Sequence, residues 1–581
     1  MDRDHESDDV TKSAPDGAKR GQGAKTRAPD EGIVRREFLR LAGAAVVVPA
    51  ALQAACGDDE LGTESEGGSD TTGDSNAGTT GSDTTAGPGG TGTGSSGTST
   101  GDGTTEDTID PTTGDPSEGT TEDTLGETTG EETTGEETTG GETTGGNNDE
   151  CEGEVIAFEP EAVPEDLATF PVAVMAGAMR KDSALLTTFI DSGEPKILRV
   201  WRPADGDGEV ELIQELEVSS VDGYVQQYVD NLCPGTWYSY AYFTPDGDDF
   251  SGRSIIGEFR TAIPDDSMEP LVLAASACNG YGNRPWPALQ VTADEYYDMF
   301  VHLGDMVYAD GSVSLNDFRQ VWRDYLAVED GGQLMGLARA YSRAGLYATL
   351  DDHEVDNNFN PENYDPQELE NAMQAWFEII PLEGADEDYK VWRSYRWGMT
   401  AEIIILDCRT ERLPSTQNGP NAQYISPEQM EFLKDRLKNS PCHFKIVLNS
   451  VPITNMPFIW DFAANDRWEG YAAQRDELLG YIADEDIANV WFISGDFHVC
   501  FVSYIEPNGD GVVAKTREIA MTGGNTNILG DTLGGSQYDY GVGSPRGCLM
   551  TFDPVENEVL VRFLDPDNGQ DLYAEVLSQD N

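Results

Sequence analysis

Three short segments of the chain combine carboxylates with histidine, tyrosine and glycine, and each follows an apolar run. They are Gly304-Asp305-Met306-Val307-Tyr308, Asp351-Asp352-His353-Glu354 and Ser494-Gly495-Asp496-Phe497-His498. The whole chain has five histidines, and His353 and His498 lie inside these segments. Because imidazole and carboxylate are common metal ligands, the concentration of a scarce residue type beside carboxylates predicts a metal site.

The chemistry expected of such a site is metal-assisted hydrolysis. Two metal ions about 3.5–4 Å apart can bind a phosphate, lower the pKa of a bridging water and stabilise the departing oxygen. Asp305 is the expected bridging ligand, because an aspartate behind a tight glycine turn can present both oxygens inward. Asp496 and His498 alternate along an expected strand end, so both should point the same way. The competing interpretation is a surface turn beside a core histidine.

Two other histidines are interpreted as structural or surface residues and not as metal ligands. His302 precedes Asp305 by three residues and lies within an expected strand, so we interpret it as a core residue or one that supports the site. His443 begins an expected strand, and we interpret it as a surface residue.

Six apolar runs are expected to form the strands that position the polar clusters. The runs are 271–275, 299–303, 346–350, 403–406, 446–448 and 490–493. The clusters that follow them begin at Ser276, Gly304, Asp351, Asp407, Asn449 and Gly495. Because helical patterns separate the last three strands, the sequence predicts a layered α/β domain with these clusters at one edge of one sheet.

Two helices are predicted between these strands. Ser426-Pro427-Glu428-Gln429 is typical of a capping box, with Ser426 at the N-cap and proline at the first helical position. It leads into Met430, Leu433 and Leu437 at helical spacing. A similar pattern runs from 475 to 482 before the last strand.

Residues 151–264 show short alternating strands instead. Asp-Gly turns at Asp205, Asp222 and Asp246 interrupt them. Regular strand spacing with such turns predicts a β-sandwich of about 100 residues. The stretch from Asn231 to Tyr240 resembles the strand entry of fibronectin type III-like domains. We interpret the module as a packing and spacer domain.

Residues 57–150 contain 24 acidic residues and no lysine or arginine, and they contribute about a third of the net charge of −71. This Gly/Thr/Ser-rich segment cannot bury enough apolar surface to offset its chain entropy, so we predict a disordered linker. Loose calcium binding or glycosylation is the alternative. The remaining chain is still acidic, which argues against nucleic acid as a partner.

The first 56 residues are expected to be an export signal. Arg35-Arg36 precedes a short apolar stretch, 41–55, in the manner of a twin-arginine signal. Cys56 resembles a lipoprotein acylation site, with cleavage and plain secretion as the alternative. An exported protein can also form disulfides, although the sequence does not choose among the pairings.

The order and spacing of several motifs resemble the alkaline phosphatase D (PhoD-like) metallophosphatases. The motifs are 271–278, 304–308, 351–358, 395–398, 406–409, 468–475 and 494–498. The similarity covers about 155 to 575. It implies an α/β four-layer metallophosphoesterase sandwich at 270–575, preceded by the fibronectin type III-like sandwich at 151–264.

The resemblance implies hydrolysis of phosphate esters at a cluster of Fe³⁺ and Ca²⁺. Cys278 and Tyr308 would ligate iron, Asp305 would bridge, and Asp496 and His498 would complete the metal shells. Asp352 and Asn357 would supply oxygens to calcium, while His353 would bind metal or touch the phosphate. These ligand roles follow from the resemblance alone.

Arg409 and Arg475 could clamp the phosphate, or they could form plain salt bridges. Aromatic residues at Phe458, Trp460, Phe462 and Trp468 could line the substrate mouth or simply pack. We expect an exported monomer that hydrolyses phosphate esters in the periplasm or at the cell surface, with membrane contact only through a lipid on Cys56. The alternatives are a diesterase acting on phospholipid or wall polymer, and a non-catalytic, calcium-stabilised surface protein.

Overall fold

A computed structural model describes residues 151–385, 389–507, 513 and 515–579. The predictions for the export signal at 1–56 and the linker at 57–150 lie outside these residues. Within the described part, no helix combines the length and the apolar character needed to cross a membrane.

The chain from 151 to 264 forms nine strands. They are β1 Glu154–Ala157, β2 Met175–Gly177, β3 Ala184–Phe189, β4 Lys196–Pro203, β5 Glu209–Val218, β6 Tyr224–Val229, β7 Trp237–Asp246, β8 Asp249–Arg253 and β9 Gly257–Arg260. Six of them form one sheet in the order β1-β5-β4-β7-β8, with β9 also paired to β7. Leu198 and Tyr240 of this sheet share a buried core with Leu186 and Val225 of β3 and β6, so two layers face each other.

The chain from 271 onward contributes fifteen more strands within the described residues. They are β10 Leu271–Ser276, β11 Met299–His302, β12 Glu329–Asp330, β13 Gln333–Leu334, β14 Gly345–Ala348, β15 Arg393–Trp397, β16 Ala401–Ile405, β17 Phe444–Leu448, β18 Val490–Ser494, β19 Cys500–Tyr504, β20 Arg517–Ala520, β21 Tyr538–Val542, β22 Gly547–Asp553, β23 Glu558–Leu564 and β24 Asp571–Leu577. The six predicted runs correspond to β10, β11, β14, β16, β17 and β18. Apolar patterning therefore located the strands of this domain to within a few residues.

Two large sheets form the centre of this domain, which corrects the prediction of one sheet. The first has the order β24-β23-β22-β10-β11-β14-β2-β3-β6, and the second has the order β15-β16-β17-β18-β20-β19-β21. Strands β10, β11 and β14 run parallel in the first sheet, as do β16, β17, β18 and β20 in the second. Leu273 of the first sheet and Ile446 of the second belong to one buried core. The polar clusters therefore come from the carboxyl ends of two facing sheets.

Helices cover the outer faces of both sheets. They span Pro287–Ala293, Leu315–Tyr325, Gly336–Arg343, Pro366–Ile379, Pro427–Asn439 and Ala472–Asp484. The last two are the predicted helices, and Leu433 and Leu478 pack with Val447 of β17 in a second buried core. Helix, sheet, sheet and helix give four layers.

The helix Pro427–Asn439 has one of the two hydrogen bonds of the predicted capping box. Ser426 Oγ accepts a hydrogen bond from Gln429 N at 3.1 Å. The side chain of Gln429 does not reach back to the N-cap. It instead accepts from Asp407 N at 2.8 Å and donates to Asp407 O at 3.1 Å, which ties the helix to the loop after β16.

The N-terminal strands do not form a sandwich separate from the rest. Strands β2, β3 and β6 extend the first large sheet, because β2 pairs in parallel with β14 at Leu346↔Gly177. Tyr347 Oη also donates to Met179 O at 2.8 Å, and Thr187 Oγ1 donates to Ile379 O at 2.6 Å. The sequence boundary near 264 thus falls between two segments that share a sheet.

Among the described cysteines, Cys151 and Cys233 form a disulfide. The others, Cys278, Cys408, Cys442, Cys500 and Cys548, are buried free thiols.

Candidate metal centre

Four loops, those after β10, β11, β14 and β18, bring potential metal ligands together at the carboxyl ends of the two facing sheets. Three groups of side chains each have ligand atoms within 4.8 Å of one another. The groups are Cys278 with Asp305 and His498, Asp305 with Asp352 and His353, and Asp351 with Asp352 and Asp496. Asp305 belongs to two of them, which is the arrangement expected of a bridging carboxylate.

Four of these side chains extend from residues in the left-handed backbone region. The φ angles are 58° at Cys278, 55° at Asp305, 62° at Asp496 and 54° at His498. This conformation is uncommon for residues other than glycine and carries strain of about 1 kcal/mol or more each, so the surrounding contacts must hold it. It also corrects the expected geometry at Asp496 and His498: they lie in a tight loop, not along an extended strand end.

Gly304 allows the loop after β11 to approach the loop after β14. A Cβ on Gly304 would lie 2.4 Å from Asp351 Cβ and 2.6 Å from Asp351 N, and its φ is 97°. Gly495 is similar, because a Cβ there would lie 2.5 Å from Ala277 Cβ. The glycines in the motifs therefore serve close packing between loops.

We expect Gly304→Ala to lower the free energy of unfolding by about 3 kcal/mol or more, since it combines backbone strain with a steric clash. Gly311→Ala is the matched control, because Gly311 has φ 74° but nothing within 4 Å of its added Cβ. It should cost only the strain, about 1 kcal/mol. Denaturant titration of both variants measures the difference. Equal losses would show that the loops can separate without penalty.

Glu354 ties the same two loops together. Its Oε1 accepts from Met306 N at 2.5 Å and its Oε2 accepts from Asp351 N at 2.8 Å. Burial raises the pKa of this carboxyl to about 7, against the lowering effect of these backbone donors. The sequence motif contained Glu354 without indicating this role.

His353 is oriented by Asp310, a residue that the sequence analysis did not select. The Nδ1 atom of His353 lies 2.8 and 2.9 Å from the two carboxylate oxygens of Asp310. Burial lowers the pKa of His353, but Asp305, Asp352 and Asp310 outweigh it and raise the pKa well above its usual value. One ring nitrogen of His353 also lies within 4.8 Å of carboxylate oxygens of Asp305 and Asp352. The only sequence signal was the position of Asp310 two residues after Tyr308.

We expect Asp310→Asn to weaken metal binding about 10- to 100-fold, which is the usual effect of losing the partner that orients a ligating histidine. The protein should remain folded, because Asp310 is partly exposed. Titration of the metal-free protein with calcium or iron, followed by calorimetry, measures the change. Unchanged affinity would mean that His353 is not a ligand.

Asn525, a second residue that the sequence analysis did not select, contacts both Tyr308 and His498. Tyr308 Oη lies 3.3 Å from both Asp305 Oδ2 and His498 Nε2. Asn525 Nδ2 donates to Tyr308 Oη at 2.5 Å and lies 3.3 Å from His498 Nε2. Burial lowers the pKa of His498 to about 4, so its imidazole is neutral and able to ligate a metal near neutral pH.

Arg409 lies fully buried among carboxylates. It forms an ion pair with Asp351 through Nε and with Asp466 through Nη1 at 2.8 Å. Its Nη2 lies 3.3 Å from Asp496 Oδ2 and 3.5 Å from Asp352 Oδ1. This geometry favours the ion-pair interpretation of Arg409 over the phosphate clamp. The third group of carboxylates therefore already has a resident cation.

Several buried oxygens of the centre have no hydrogen-bond partner among the described residues. They are Asp305 Oδ1 and Asp351 Oδ2, together with Asp352 Oδ1 and Asp496 Oδ2, which lie near Arg409 without hydrogen-bond geometry. Buried carboxylate oxygens without partners are rare, and burial raises the pKa of both Asp305 and Asp496 well above the usual range. A bound cation would satisfy these atoms, so the donor set fits a metal. Burial likewise raises the pKa of the Cys278 thiol, which a metal would offset.

Two predicted site residues have other contacts. Arg475 donates from Nε to Ile453 O at 2.8 Å and pairs with Glu506 at 2.7 Å, and neither partner belongs to the metal groups. Its geometry favours the salt-bridge alternative. Asn357 Oδ1 accepts from Asn358 Nδ2 at 2.6 Å, and Asn357 N donates to Asp310 at 2.6 Å.

His302 has the supporting position that the sequence suggested, whereas Asn449 makes packing contacts. His302 is buried, and its Nε2 lies 2.6 Å from Asn279 Nδ2. Burial lowers the pKa of His302 to about 3, so it is a neutral residue supporting the loop after β10. Asn449 Oδ1 accepts from Cys408 and Trp468, which makes it a packing residue of its turn.

Comparison with known proteins agrees with this geometry. Residues 273–533 match the family model described as PhoD-like phosphatase. The resemblance inferred from the motifs is thereby confirmed, and this stretch is a PhoD-like phosphatase domain. It is therefore a phosphoric ester hydrolase of the alkaline phosphatase D type. All the residues of the three metal groups lie within the matched region.

Individual relatives support the PhoD-like assignment. The chain is 24% identical over 423 residues to alkaline phosphatase D of Bacillus subtilis, which covers 62% of this chain and 70% of that protein. A solved structure of PhoD superposes with a TM-score of 0.59 at 20% identity, covering 71% of this chain and 90% of that one. A purple acid phosphatase from yellow lupin gives 0.50 at 14% identity, covering 71% and 74%. These structural likenesses concern the fold.

Proposed function

We propose that this PhoD-like domain hydrolyses phosphate esters in a metal-dependent way, at the centre formed by the loops after β10, β11, β14 and β18. The observation that carries the proposal is the position of Asp305 in two ligand groups at once. A single carboxylate shared in this way can bridge two metal ions. Metal ions bound there would supply an activated water and offset the negative charge of the phosphate oxygens.

The first group suits Fe³⁺. Cys278 and Tyr308 are anionic when bound to a metal, and Asp305 and His498 complete the set. Anionic sulfur and oxygen ligands stabilise the higher oxidation state of iron. Asn525 holds Tyr308 and His498 in place, and Asp496 contributes the adjoining carboxylate.

The second group suits Ca²⁺, which prefers several oxygen donors. Asp305 and Asp352 supply carboxylates, and His353 supplies a ring nitrogen whose orientation is fixed by Asp310. Asn357 can join them, since its amide oxygen has a second lone pair beyond the one that accepts from Asn358. Arg409 allows Asp351, Asp352 and Asp496 to lie close together, because its positive charge offsets their mutual repulsion.

Nitrophenyl phosphate hydrolysis by the full-length protein tests the proposal. The protein should turn over substrate when calcium is present, and a chelator should abolish turnover reversibly. Elemental analysis of the same sample should find iron as well as calcium bound to the chain. Calcium-dependent thermal stabilisation without turnover on either a monoester or a diester would instead favour the non-catalytic surface protein.

We also propose that the enzyme works outside the cytoplasm, exported by the signal at Arg35-Arg36 and tethered by a lipid on Cys56. The disulfide between Cys151 and Cys233 supports an oxidising compartment. The fibronectin type III-like strands at its start would then serve as a packing unit between the tether and the catalytic centre. Cell fractionation of wild type and an Arg35→Lys/Arg36→Lys variant tests export, because the variant should stay in the cytoplasm.

A further inference from the structure

Two loops near the metal centre carry the two most exposed large apolar side chains of the described residues. Phe458 is 86% exposed and Ile528 is 80% exposed. Phe462 is also exposed, and it lies in the same short 3-10 segment as Phe458, Phe458–Ala463. Side chains this large are costly to leave in water, so their exposure on loops beside a candidate site is typical of a binding surface.

The strand order places these loops on either side of two ligands. Strands β17, β18 and β20 are parallel neighbours, so the loops that follow them leave the same edge of the sheet. The loop after β18 carries Asp496 and His498. The loop after β17 leads to Phe458, and the loop after β20 leads to Ile528.

Both loops are fixed to Phe497, the residue between those two ligands. Trp460 is buried, and its ring centroid lies 5.9 Å from that of Phe497. On the other side, Asn527 Nδ2 donates to Phe497 O at 3.0 Å. Phe458 and Ile528 therefore lie one or two residues from side chains, Trp460 and Asn527, that contact the ligand loop directly.

We propose that Phe458, Phe462 and Ile528, the apolar rim, bind the alcohol portion of the substrate, and that the preferred phosphate esters carry an apolar aryl or alkyl group there. This inference rests on the proposed function. When the phosphate lies at the metal centre, an ester group that extends over the second sheet meets the loops after β17 and β20. An apolar alcohol would cover side chains that are otherwise in water, whereas a sugar or glycerol would not.

Calorimetry with phosphonates tests the apolar rim without depending on turnover. Hexylphosphonate and methylphosphonate share the phosphate-like group, and neither can be hydrolysed at an ester bond. The metal-loaded, full-length protein should bind hexylphosphonate at least about tenfold more tightly than methylphosphonate. Phe458→Ser, Phe462→Ser and Ile528→Ser should each reduce this ratio, and together they should bring it to within about twofold of unity.

Val555→Ser is the matched control. Val555 is 70% exposed in the hairpin after β22, and the register Leu271↔Phe552 places that hairpin at the opposite edge of the first sheet. This variant should leave both affinities unchanged. An equal loss in Val555→Ser would overturn the inference, as would a wild-type protein that binds the two phosphonates equally.

Parallel measurements separate this inference from the proposed function. Nitrophenyl phosphate turnover without a preference for hexylphosphonate would overturn the apolar rim and leave the phosphoesterase intact. A preference for hexylphosphonate without turnover would support the rim and refute the proposed function. Vesicle binding that is lost in the triple variant, with no phosphonate preference, would assign the surface to a membrane and overturn the proposal.

Discussion

Asp305→Asn should reduce phosphate-ester turnover on the order of a thousandfold or more, because it removes the charge of a carboxylate that joins the group of Cys278 and His498 to the group of Asp352 and His353. Asparagine keeps the shape of the side chain but cannot offer two anionic oxygens to two ions. The measurements are kcat/KM with nitrophenyl phosphate and the metal content per chain. Both should fall together.

Asp553→Asn is the control for this substitution. Asp553 lies at the start of the hairpin after β22, where its carboxylate accepts from Val555 N at 2.9 Å and Glu556 N at 3.1 Å. Turnover should stay near the wild-type value. Retained activity in Asp305→Asn would remove Asp305 from the reaction and with it the proposed two-metal centre.

Arg409→Ala should lower the free energy of unfolding by about 3–5 kcal/mol, which is typical when a buried charge loses its partner. The arginine is fully buried, and its guanidinium contacts Asp351, Asp466, Asp352 and Asp496. Without it, four neighbouring carboxylates would repel one another in a region of low polarity. Denaturant titration in the presence of a chelator gives the clearest measurement, because bound metal would offset part of that repulsion.

The control for Arg409 is a partly exposed arginine with two carboxylate partners. Arg562 pairs with Glu295 and Asp571 at 2.8 Å each, and its side chain is 26% exposed to solvent. Water screens such pairs, so Arg562→Ala should cost only about 0–1 kcal/mol. A small loss in both variants would mean that Arg409 is not needed to balance the carboxylates, and that the phosphate-clamp interpretation should be reconsidered.

The sequence located the strands and the loops of the centre because the signal is local. Apolar runs mark β10, β11, β14, β16, β17 and β18, and the ligand types follow each run directly. It could not show that these strands divide between two sheets, since strand pairing is decided by contacts between distant segments. The same limit explains why the sequence did not indicate Asp466 as a partner of Arg409: the two residues pair although they are 57 positions apart in the chain.

The missed residues of the centre share a second physical reason. Asp310, Glu354 and Asn525 do not differ in type from ordinary loop residues, and their roles come from what they contact. Arg475 shows the converse. An arginine in a family motif was an expected phosphate contact, but its neighbours Ile453 and Glu506 are a matter of tertiary packing.

The continuity of the first sheet has a consequence for how the molecule can be divided. If the chain were cut near residue 264, strand β14 would lose β2 and become a bare edge, with all four of its residues, Gly345–Ala348, being buried in the intact protein. Uncovered edges of that kind recruit other strands, so the isolated catalytic segment would be prone to self-association. The N-terminal strand β2 thus covers an edge of the catalytic sheet that would otherwise be open to pairing with another chain.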